Sequence, residues 1–310
     1  MKALLKFGLL YFAVVICINS IGSFCFDLVY GKIRTGQTGG KINYYLNNSS
    51  SDLLIMGSSR AFYQAIPDSF DVPTFNLAHA GVDDAFQLGL LHVLIQDHKR
   101  PKYILLEIDP DFYLDTNEDF YSKKIQRLKY YYGKNDFVTK NIDHISEFER
   151  VKYSFSLYRY NGNVINLFKN FIQTKYSPYS GNGYEEILTE PRDSITMLAT
   201  PDSMLVMGKV INRRKTRYLT GFIELCKKCN IRVFCFTSPY FFSNTSVLNE
   251  PRKYLDSLFL ANCIPYVDYS REQIEQLQEH PLFWKERYHL NNLGAQIESH
   301  YLSGWFRRNL

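Results

Sequence analysis

A serine near the start of the chain has the setting of a nucleophile. Ser59 follows a short apolar run at 53–56 and Gly57, and it precedes Arg60-Ala61-Phe62, which predicts the first turn of a helix. A serine at the amino end of a helix lies beside unpaired backbone N–H groups and their partial positive charge. This position suits a nucleophile whose own N–H group helps to hold an oxyanion.

A histidine near the end of the chain is the matching base. His289 lies three residues after Glu286, just before a predicted closing helix. This offset lets a carboxylate and an imidazole project from one turn. Glu286 could then orient the ring and stabilise the imidazolium that forms when His289 takes the serine proton. The sequence therefore offers Ser59, His289 and Glu286 as nucleophile, base and orienting acid.

The elements that must position these residues predict an α/β fold. Strands that are apolar throughout, with helices between them, indicate a parallel sheet covered on both faces, here a three-layer α/β/α sandwich. We expect Asp83 and Asp84 to cap one helix, a second helix at about 215–228, and a closing helix from Asn292. The five apolar runs that predict strands are 53–56, 74–77, 103–106, 231–236 and 263–267.

Three loops leave this predicted sheet at the edge where its strands end. They are the Gly57–Ser59 turn, the loop from Asn76 to Gly81, and the turn at Asp109. Parallel sheets bind ligands at the carboxyl ends of their strands. We therefore expect the three loops to meet at one site.

These blocks resemble the SGNH/GDSL hydrolase superfamily. The carrying motifs are Gly57-Ser58-Ser59, Asn76-x4-Gly81, and Glu286-x2-His289-Leu-Asn-x2-Gly-Ala. The closer likeness is to membrane-anchored bacterial members related to cell-surface polysaccharide O-acyltransferases and esterases. The resemblance implies a flavodoxin-like sheet and gives Ser59 the role of nucleophile and Gly81 that of an oxyanion donor. It implies that Asn76 and Asp109 also lie in the oxyanion or substrate-binding region, with His289 as base and Glu286 as acid.

The chain departs from the family pattern at three places. Ser58 stands where many members carry Asp, and Glu286 replaces the usual Asp. The Gly-x-Asn of the third block is absent, and Glu107-Ile-Asp109-Pro-Asp111 occupies its place. An ionised carboxylate repels an oxyanion, and losing one oxyanion donor costs about 10²–10³ in rate. Another donor, a different part for Asp109, or a slow or inactive protein are the open alternatives.

The amino-terminal segment predicts a membrane anchor. Phe7 to Phe26 is a run of 20 residues without a charge, and a helix of this length reaches about 30 Å, the thickness of the bilayer's hydrocarbon core. A cleaved signal peptide, with a site near Ser20-Ile21-Gly22, and a core helix are the rival interpretations. We expect a single-pass anchor at 1–30 and an SGNH-like domain at 45–310 on the extracytoplasmic side.

Residues at about 112–212 fit the strand–helix alternation poorly and predict an insertion of helices and loops. They contain clustered tyrosines, including Tyr130 to Tyr132 and Tyr158. Either these rings belong to a peripheral scaffold, or they form a lid that stacks on a sugar chain. Six cysteines occur, and we expect Cys226 on a buried helix face and Cys263 in an apolar strand.

Composition bounds the function. The 310 residues are 45% hydrophobic and 22% charged, with a net charge of +5, which is ordinary globular composition and lacks the basic runs of a nucleic-acid binder. We predict a serine-dependent acyl-ester hydrolase or O-acyltransferase acting on a cell-surface glycan through an acyl-enzyme at Ser59, without cofactor or metal. Its partners would be an acylated glycan or acyl donor, the membrane, and envelope polysaccharide machinery. The alternative is an inactive membrane-tethered glycan-binding or scaffold protein.

Overall fold

Five parallel strands form the central sheet in the computed structural model, which describes residues 1–113, 122–173, 182–188, 211–241, 249–272, 274–278 and 280–310. The strands lie in the order β2-β1-β3-β4-β5, so the chain reverses its direction of travel across the sheet between β1 and β3. Their bounds are Leu53–Met56 (β1), Thr74–Asn76 (β2), Tyr103–Glu107 (β3), Arg232–Thr237 (β4) and Tyr266–Asp268 (β5).

Helices cover both faces of this sheet. Eleven α-helices lie within the described residues: Lys2–Lys32 (α1), Ile42–Asn48 (α2), Ser59–Gln64 (α3), Asp84–Gln96 (α4), Asp136–Asp143 (α5), Glu149–Tyr153 (α6), Val164–Ile172 (α7), Arg213–Lys228 (α8), Asn249–Ala261 (α9), Glu275–Gln278 (α10) and Asn292–Asn309 (α11). Helix α4 packs against α8, and α3 packs against α11. The predicted three-layer sandwich is confirmed.

The strands are buried because their side chains are apolar on both faces. All four side chains of β1 are fully buried, and Leu54 and Ile104 stand side by side in the paired register of β1 and β3. A second, two-stranded antiparallel unit joins Trp284–Glu286 (β6) to His289–Leu290 (β7). The indole of Trp284 is fully buried and donates to the carbonyl of Leu277 at 2.7 Å, which fixes this hairpin to the body of the fold.

Two sequence predictions fail at the ends of elements. Cys263 is exposed and has φ +54, and β5 begins only at Tyr266. The reason is the end of α9, where Ile264 N–H donates to the carbonyl of Phe259 at 2.9 Å, the bond that closes a helix through a left-handed residue. The buried thiol of Cys226 on α8 agrees with the prediction, and all six cysteines are free.

Helix α1 is long and apolar enough to cross a membrane, and most of its side chains are exposed. Its C-terminal half packs on the 3₁₀ segment Ser156–Tyr160 through polar groups. The Asn19 carboxamide oxygen accepts from Leu157 N–H at 3.0 Å, and Asp27 accepts from Arg159 Nη2 at 3.0 Å. The end of α1 is therefore tied to the predicted insertion.

The clustered tyrosines of the insertion pack mainly on one another and on α1. The rings of Tyr30 and Tyr130 stack with their centroids 4.3 Å apart, and those of Tyr132 and Tyr153 stack at the same distance. These contacts favour the scaffold interpretation over a sugar-stacking lid. Residues 114–121, 174–181 and 189–210 of the insertion lie outside the described residues, so its limits and the domain boundaries stay predictions.

Candidate active site

The turn after β1 presents Ser59 at the start of a helix. Gly57 has φ +145, and a Cβ there would lie 2.6 Å from Glu107 Cβ, so only glycine fits. The Ser58 hydroxyl then accepts from Arg60 N–H at 3.4 Å and caps α3, of which Ser59 is the first residue. The turn lies at the point where the strand order reverses between β1 and β3, the usual ligand crevice of such sheets.

Ser59, His289 and Glu286 form one hydrogen-bonded chain. Ser59 Oγ lies 2.7 Å from His289 Nε2, and His289 Nδ1 is in a short hydrogen bond with Glu286 Oε1. The structure thus brings together the three residues that the sequence singled out, although 230 positions separate the serine from the histidine.

The β6–β7 hairpin positions the acid and the imidazole. Glu286 and His289 are opposite one another in its register, and Glu286 Oε2 also accepts from Tyr288 N–H at 3.2 Å. Burial acts to raise the pKa of the Glu286 carboxyl, but the hydrogen bond and charge of His289 outweigh it and hold that pKa below its ordinary value. Glu286 is therefore an anion when it orients the ring.

Beneath the serine, Glu107 holds the turn. Its Oε2 accepts from both Ser58 N–H at 3.0 Å and Ser58 Oγ at 2.8 Å, and its Oε1 accepts from Arg60 Nη2 at 2.7 Å. Arg60 and Glu107 are 2% and 3% exposed. A buried ion pair therefore fixes the residues on either side of Ser59.

Asp109 lies just beyond the end of the same strand and has three partners, one of which is Asp111 N–H, which donates to its Oδ1 at 3.1 Å. Its Oδ1 accepts from the Tyr240 hydroxyl at 2.7 Å, and its Oδ2 lies 3.4 Å from Arg60 Nη2. Burial acts to lower the pKa of Arg60, but Asp109, Tyr240 and Glu107 raise it well above its ordinary value, so the guanidinium stays charged. Arg60 thus offsets part of the negative charge that Glu107 and Asp109 together place beside the nucleophile turn.

The structure corrects the role expected for Asn76. This side chain is fully buried, and its amide donates to the carbonyls of Ala61 at 2.7 Å and Ala65 at 2.8 Å. Its Oδ1 accepts from Ala78 N–H at 3.0 Å. Both amide hydrogens are committed to backbone, so Asn76 ties the loop after β2 to α3 and is not a donor to an oxyanion.

The same loop, from Asn76 to Gly81, is held from outside by the segment that follows α1. Gln37 Oε1 accepts from Ala80 N–H at 2.9 Å, and the buried ammonium of Lys41 donates to the Ala78 carbonyl at 2.7 Å. Gly81 itself has φ +66, a conformation that favours glycine. The π-helical segment Gly36–Lys41 therefore braces the loop that carries Gly81.

His79, in this loop, is a buried structural residue. Its ring is fully buried against the carbonyls of Leu77 and Gln37. Burial, with the nearby charge of Lys41, lowers the pKa of His79 to about 3. These contacts hold the ring within the loop, and it does not join Ser59.

Sequence reasoning missed the buried charges behind the site. Arg60 is next to Ser59 in the sequence, and this position could have marked it as a site residue. Its pairing with Glu107, 47 positions away, could not be predicted from the sequence. Glu298, on α11, is fully buried, and burial raises its pKa to about 7. Among the described residues no group of three or more His, Cys, Asp or Glu side chains is placed to hold a metal ion.

A groove of about 1170 Å³ opens beside the loop that carries Gly81, with Ala80 in its wall. Its other walls come from the end of α1 and from residues 123–170. Six basic side chains line it, against the single carboxylate of Glu149: Lys123, Lys124, Arg127, Lys129, Lys152 and Lys169. Arg127 reaches the loop itself, because its Nη1 donates to the Ala80 carbonyl at 2.5 Å.

Comparison with known proteins finds similarity at the level of solved structures. No protein-family model and no curated protein matches the chain. A proposed acylhydrolase of Bacteroides fragilis is 14% identical, covering 83% of this chain and 88% of its own, with a TM-score of 0.39. A GDSL-like lipase of Bacteroides thetaiotaomicron is 12% identical with the same coverage and TM-score.

Proposed function

We propose that this protein is a serine-dependent acyl-ester enzyme. The observation that carries the proposal is the hydrogen-bonded chain from Ser59 Oγ through the His289 ring to Glu286. Ser59 Oγ attacks the acyl carbonyl carbon and its proton passes to His289 Nε2. The tetrahedral intermediate then expels the alcohol oxygen, which takes this proton from Nε2, and an acyl-Ser59 ester is left.

The second half of the reaction reverses these roles. A hydroxyl group attacks the acyl-Ser59 carbonyl while His289 Nε2 takes its proton, and Ser59 leaves with that proton. Attack by water gives an esterase, and attack by a sugar hydroxyl gives an O-acyltransferase. The three residues act alike in both, so the acceptor that the site admits decides between them.

Oxyanion stabilisation is proposed to come from backbone. Ser59 N–H lies in the first turn of α3, where helix N–H groups lack intrahelical partners, and Gly81 N–H is the second donor implied by the family resemblance. Asp109 supplies no side-chain amide, and Arg60, which it shares with Glu107, offsets only part of its charge. The site has one oxyanion donor fewer than the SGNH/GDSL pattern. We therefore expect its turnover to be about 10²–10³ lower than that of an enzyme with the complete set of donors.

The substrate is proposed to be an O-acylated, cell-surface glycan. Supporting features are α1, which is apolar enough to anchor the protein in a membrane, and the basic groove beside Ala80. Lysine, arginine and asparagine side chains bind hydroxyl and carboxylate groups through hydrogen bonds. The proposal places the protein in the envelope as an uncleaved single-pass protein, with its domain outside the cytoplasm and envelope polysaccharide machinery as its partner.

A fluorophosphonate probe tests the nucleophile. The full-length protein in detergent or nanodiscs should be labelled covalently, and Ser59→Ala should abolish labelling. His289→Ala should slow it at least 100-fold, because the general base is gone. Ser257→Ala, an exposed serine on α9, is the matched control and should label like the wild type.

Asp109 at the site edge favours a second candidate, an inactive membrane-tethered protein that binds glycan. Wild-type protein without labelling at any pH between about 6 and 9 would support it. Where labelling occurs, incubation with an activated acetyl ester separates the two activities. Free acetate alone indicates an esterase, and O-acetylated oligosaccharide in the presence of added glycan indicates a transferase.

A further inference from the structure

Exposed apolar side chains are concentrated in one short part of the insertion. Within residues 148–172 they form a surface that we call the apolar ridge, defined by Phe148, Val151, Phe155, Ile165, Phe168 and Ile172. Ile165 is 84% exposed and Ile172 is 74% exposed. Apolar surface gathered in this way marks an interaction site in a soluble domain.

Helix α7 contributes its apolar side outward. At 100° per residue, Ile165, Phe168 and Ile172 fall within an arc of about 60°, and Asn166 and Asn170 lie on the opposite side. A helix that stabilises a globular core turns this apolar side inward. On α7 the side that carries these three residues is exposed instead, so contact with an apolar environment would stabilise it.

The ridge adjoins α1 within the charge-free run that is long enough to span a bilayer. The rings of Phe26 and Phe168 are in edge contact with centroids 5.9 Å apart. Deeper along α1, a Cβ at Gly22 would lie 3.3 Å from Leu157, and Asn19 bonds to Ser156 Oγ at 3.3 Å.

These contacts set the depth of Ser156 and Leu157, which follow Phe155 of the ridge directly in sequence. Gly22 and Asn19 precede Phe26, the last residue of the charge-free run, by about 6 and 10 Å along a helix. A segment that touches both residues therefore lies below the membrane surface if the run fills the hydrocarbon core. Its backbone suits this depth, because Leu157 N–H donates to Asn19 Oδ1.

We propose that the apolar ridge inserts into the lipid bilayer beside α1, so that the domain is embedded in the membrane surface at two places. The occupant is lipid, because the ridge is continuous with a helix of membrane-spanning composition. The inference rests on the anchor of the proposed function.

Depth-dependent quenching tests the proposal on the full-length protein in nanodiscs. A fluorophore is attached to Ile165→Cys in a variant whose Cys17, Cys25, Cys229 and Cys263 are alanine, and the lipids carry nitroxide spin labels near the headgroup. We expect Ile165 to be quenched at least threefold more than the matched control Leu260→Cys, whose native side chain is 82% exposed on α9.

A third position separates the possible failures. A fluorophore at Leu10→Cys, within α1, reports the anchor itself, with spin labels placed deeper in the acyl chains. Quenching at Leu10 with Ile165 no stronger than Leu260 overturns the ridge and leaves the anchor intact. No quenching at Leu10 overturns the anchor and with it the inference, while the fluorophosphonate assay judges the chemistry separately.

Discussion

Glu286 is one residue at which the site differs from the SGNH/GDSL pattern that its motifs resemble. A glutamate is one methylene longer than the usual aspartate, and here it stands opposite His289 in the β6–β7 register and bonds to the ring. The hairpin thus supplies the spacing that the longer side chain needs. The backbone of the hairpin therefore places the Glu286 carboxylate within hydrogen-bond reach of the His289 ring.

The length of this side chain gives a first prediction. Glu286→Gln should lower the rate of fluorophosphonate labelling by about 10²–10⁴, because an amide neither fixes the ring tautomer nor stabilises the imidazolium. Glu286→Asp should also be slower than the wild type, since the shorter carboxylate falls short of Nδ1. Labelling of Glu286→Asp at the wild-type rate would contradict this geometry.

Glu298 gives a second prediction at the same scale. Burial raises its pKa to about 7, Ser238 and Arg60 oppose that rise, and the ordinary value is 4.5. Between these two pH values the folded protein retains a proton that the unfolded chain releases, so stability falls as pH rises. Glu298→Gln should raise the free energy of unfolding by about 3 kcal/mol at pH 8 and leave it unchanged near pH 4.

Urea unfolding across that pH range measures the effect. Glu224→Gln, on an exposed position of α8, is the control and should leave the pH profile unchanged. An equal gain at pH 4 and pH 8 would mean that Glu298 does not titrate on unfolding in this range.

At the scale of elements, the local pattern of apolar residues predicted where the strands lie. It did not predict which residues far apart in the sequence would pair. Strand β1 has the predicted bounds, since four apolar residues before a glycine leave little choice. The closing helix begins at Asn292 as predicted, and Leu302 on it is buried while Leu293 and Tyr301 are exposed. Its buried face also carries Glu298. A buried polar residue depends on partners far away in the sequence, and hydrophobic periodicity does not predict such partners.

The candidate site was predictable to a similar degree. The order of the motifs brought Ser59 and His289 to one edge, because parallel strands end together. Asn76 has the residue type of a donor, yet only the structure places its amide on two backbone carbonyls. The pairing of Arg60 with Glu107 was likewise hidden, since no local rule predicts a buried arginine beside a nucleophile.

Helix α1 is bound by a polar contact that yields a third prediction. Asp27 accepts from Arg159 Nη2 at 3.0 Å and pairs with Lys134 at 2.9 Å. Asp27→Ala leaves the buried Arg159 guanidinium without its carboxylate. Amide hydrogen exchange in residues 156–160 should then accelerate at least tenfold in nanodiscs.

An exposed ion pair provides the control for that experiment. Asp71→Ala removes the pairing of Asp71 with Arg307, both of which are about two-thirds exposed, and should leave exchange at 156–160 unchanged. Unchanged exchange in Asp27→Ala as well would show that α1 is held by its apolar contacts alone.

For the whole molecule, the segment after α1 connects this helix to the candidate site. Gln37 holds Ala80 through its side chain, and Ala80 precedes the proposed oxyanion donor Gly81. We predict that Gln37→Ala lowers kcat about fivefold to tenfold, the worth of about one hydrogen bond. KM and the pH profile should stay the same, because Gln37 is a positioning residue.

Steady-state kinetics with an acyl ester measure this effect in the full-length protein. Gln37→Glu retains an acceptor for Ala80 N–H and should restore most of the lost rate. A change confined to KM would instead place Gln37 in substrate binding.

The bracing of this loop by Gly36–Lys41 also bears on where the protein can work. Lys41 and Gln37 belong to the stretch that emerges from α1, so a protease that released the domain by cutting after Lys41 would remove both supports at once. Release of the domain by such a cut would therefore also inactivate the proposed enzyme. The proposed acyl chemistry would then be confined to the membrane surface at which α1 holds the protein.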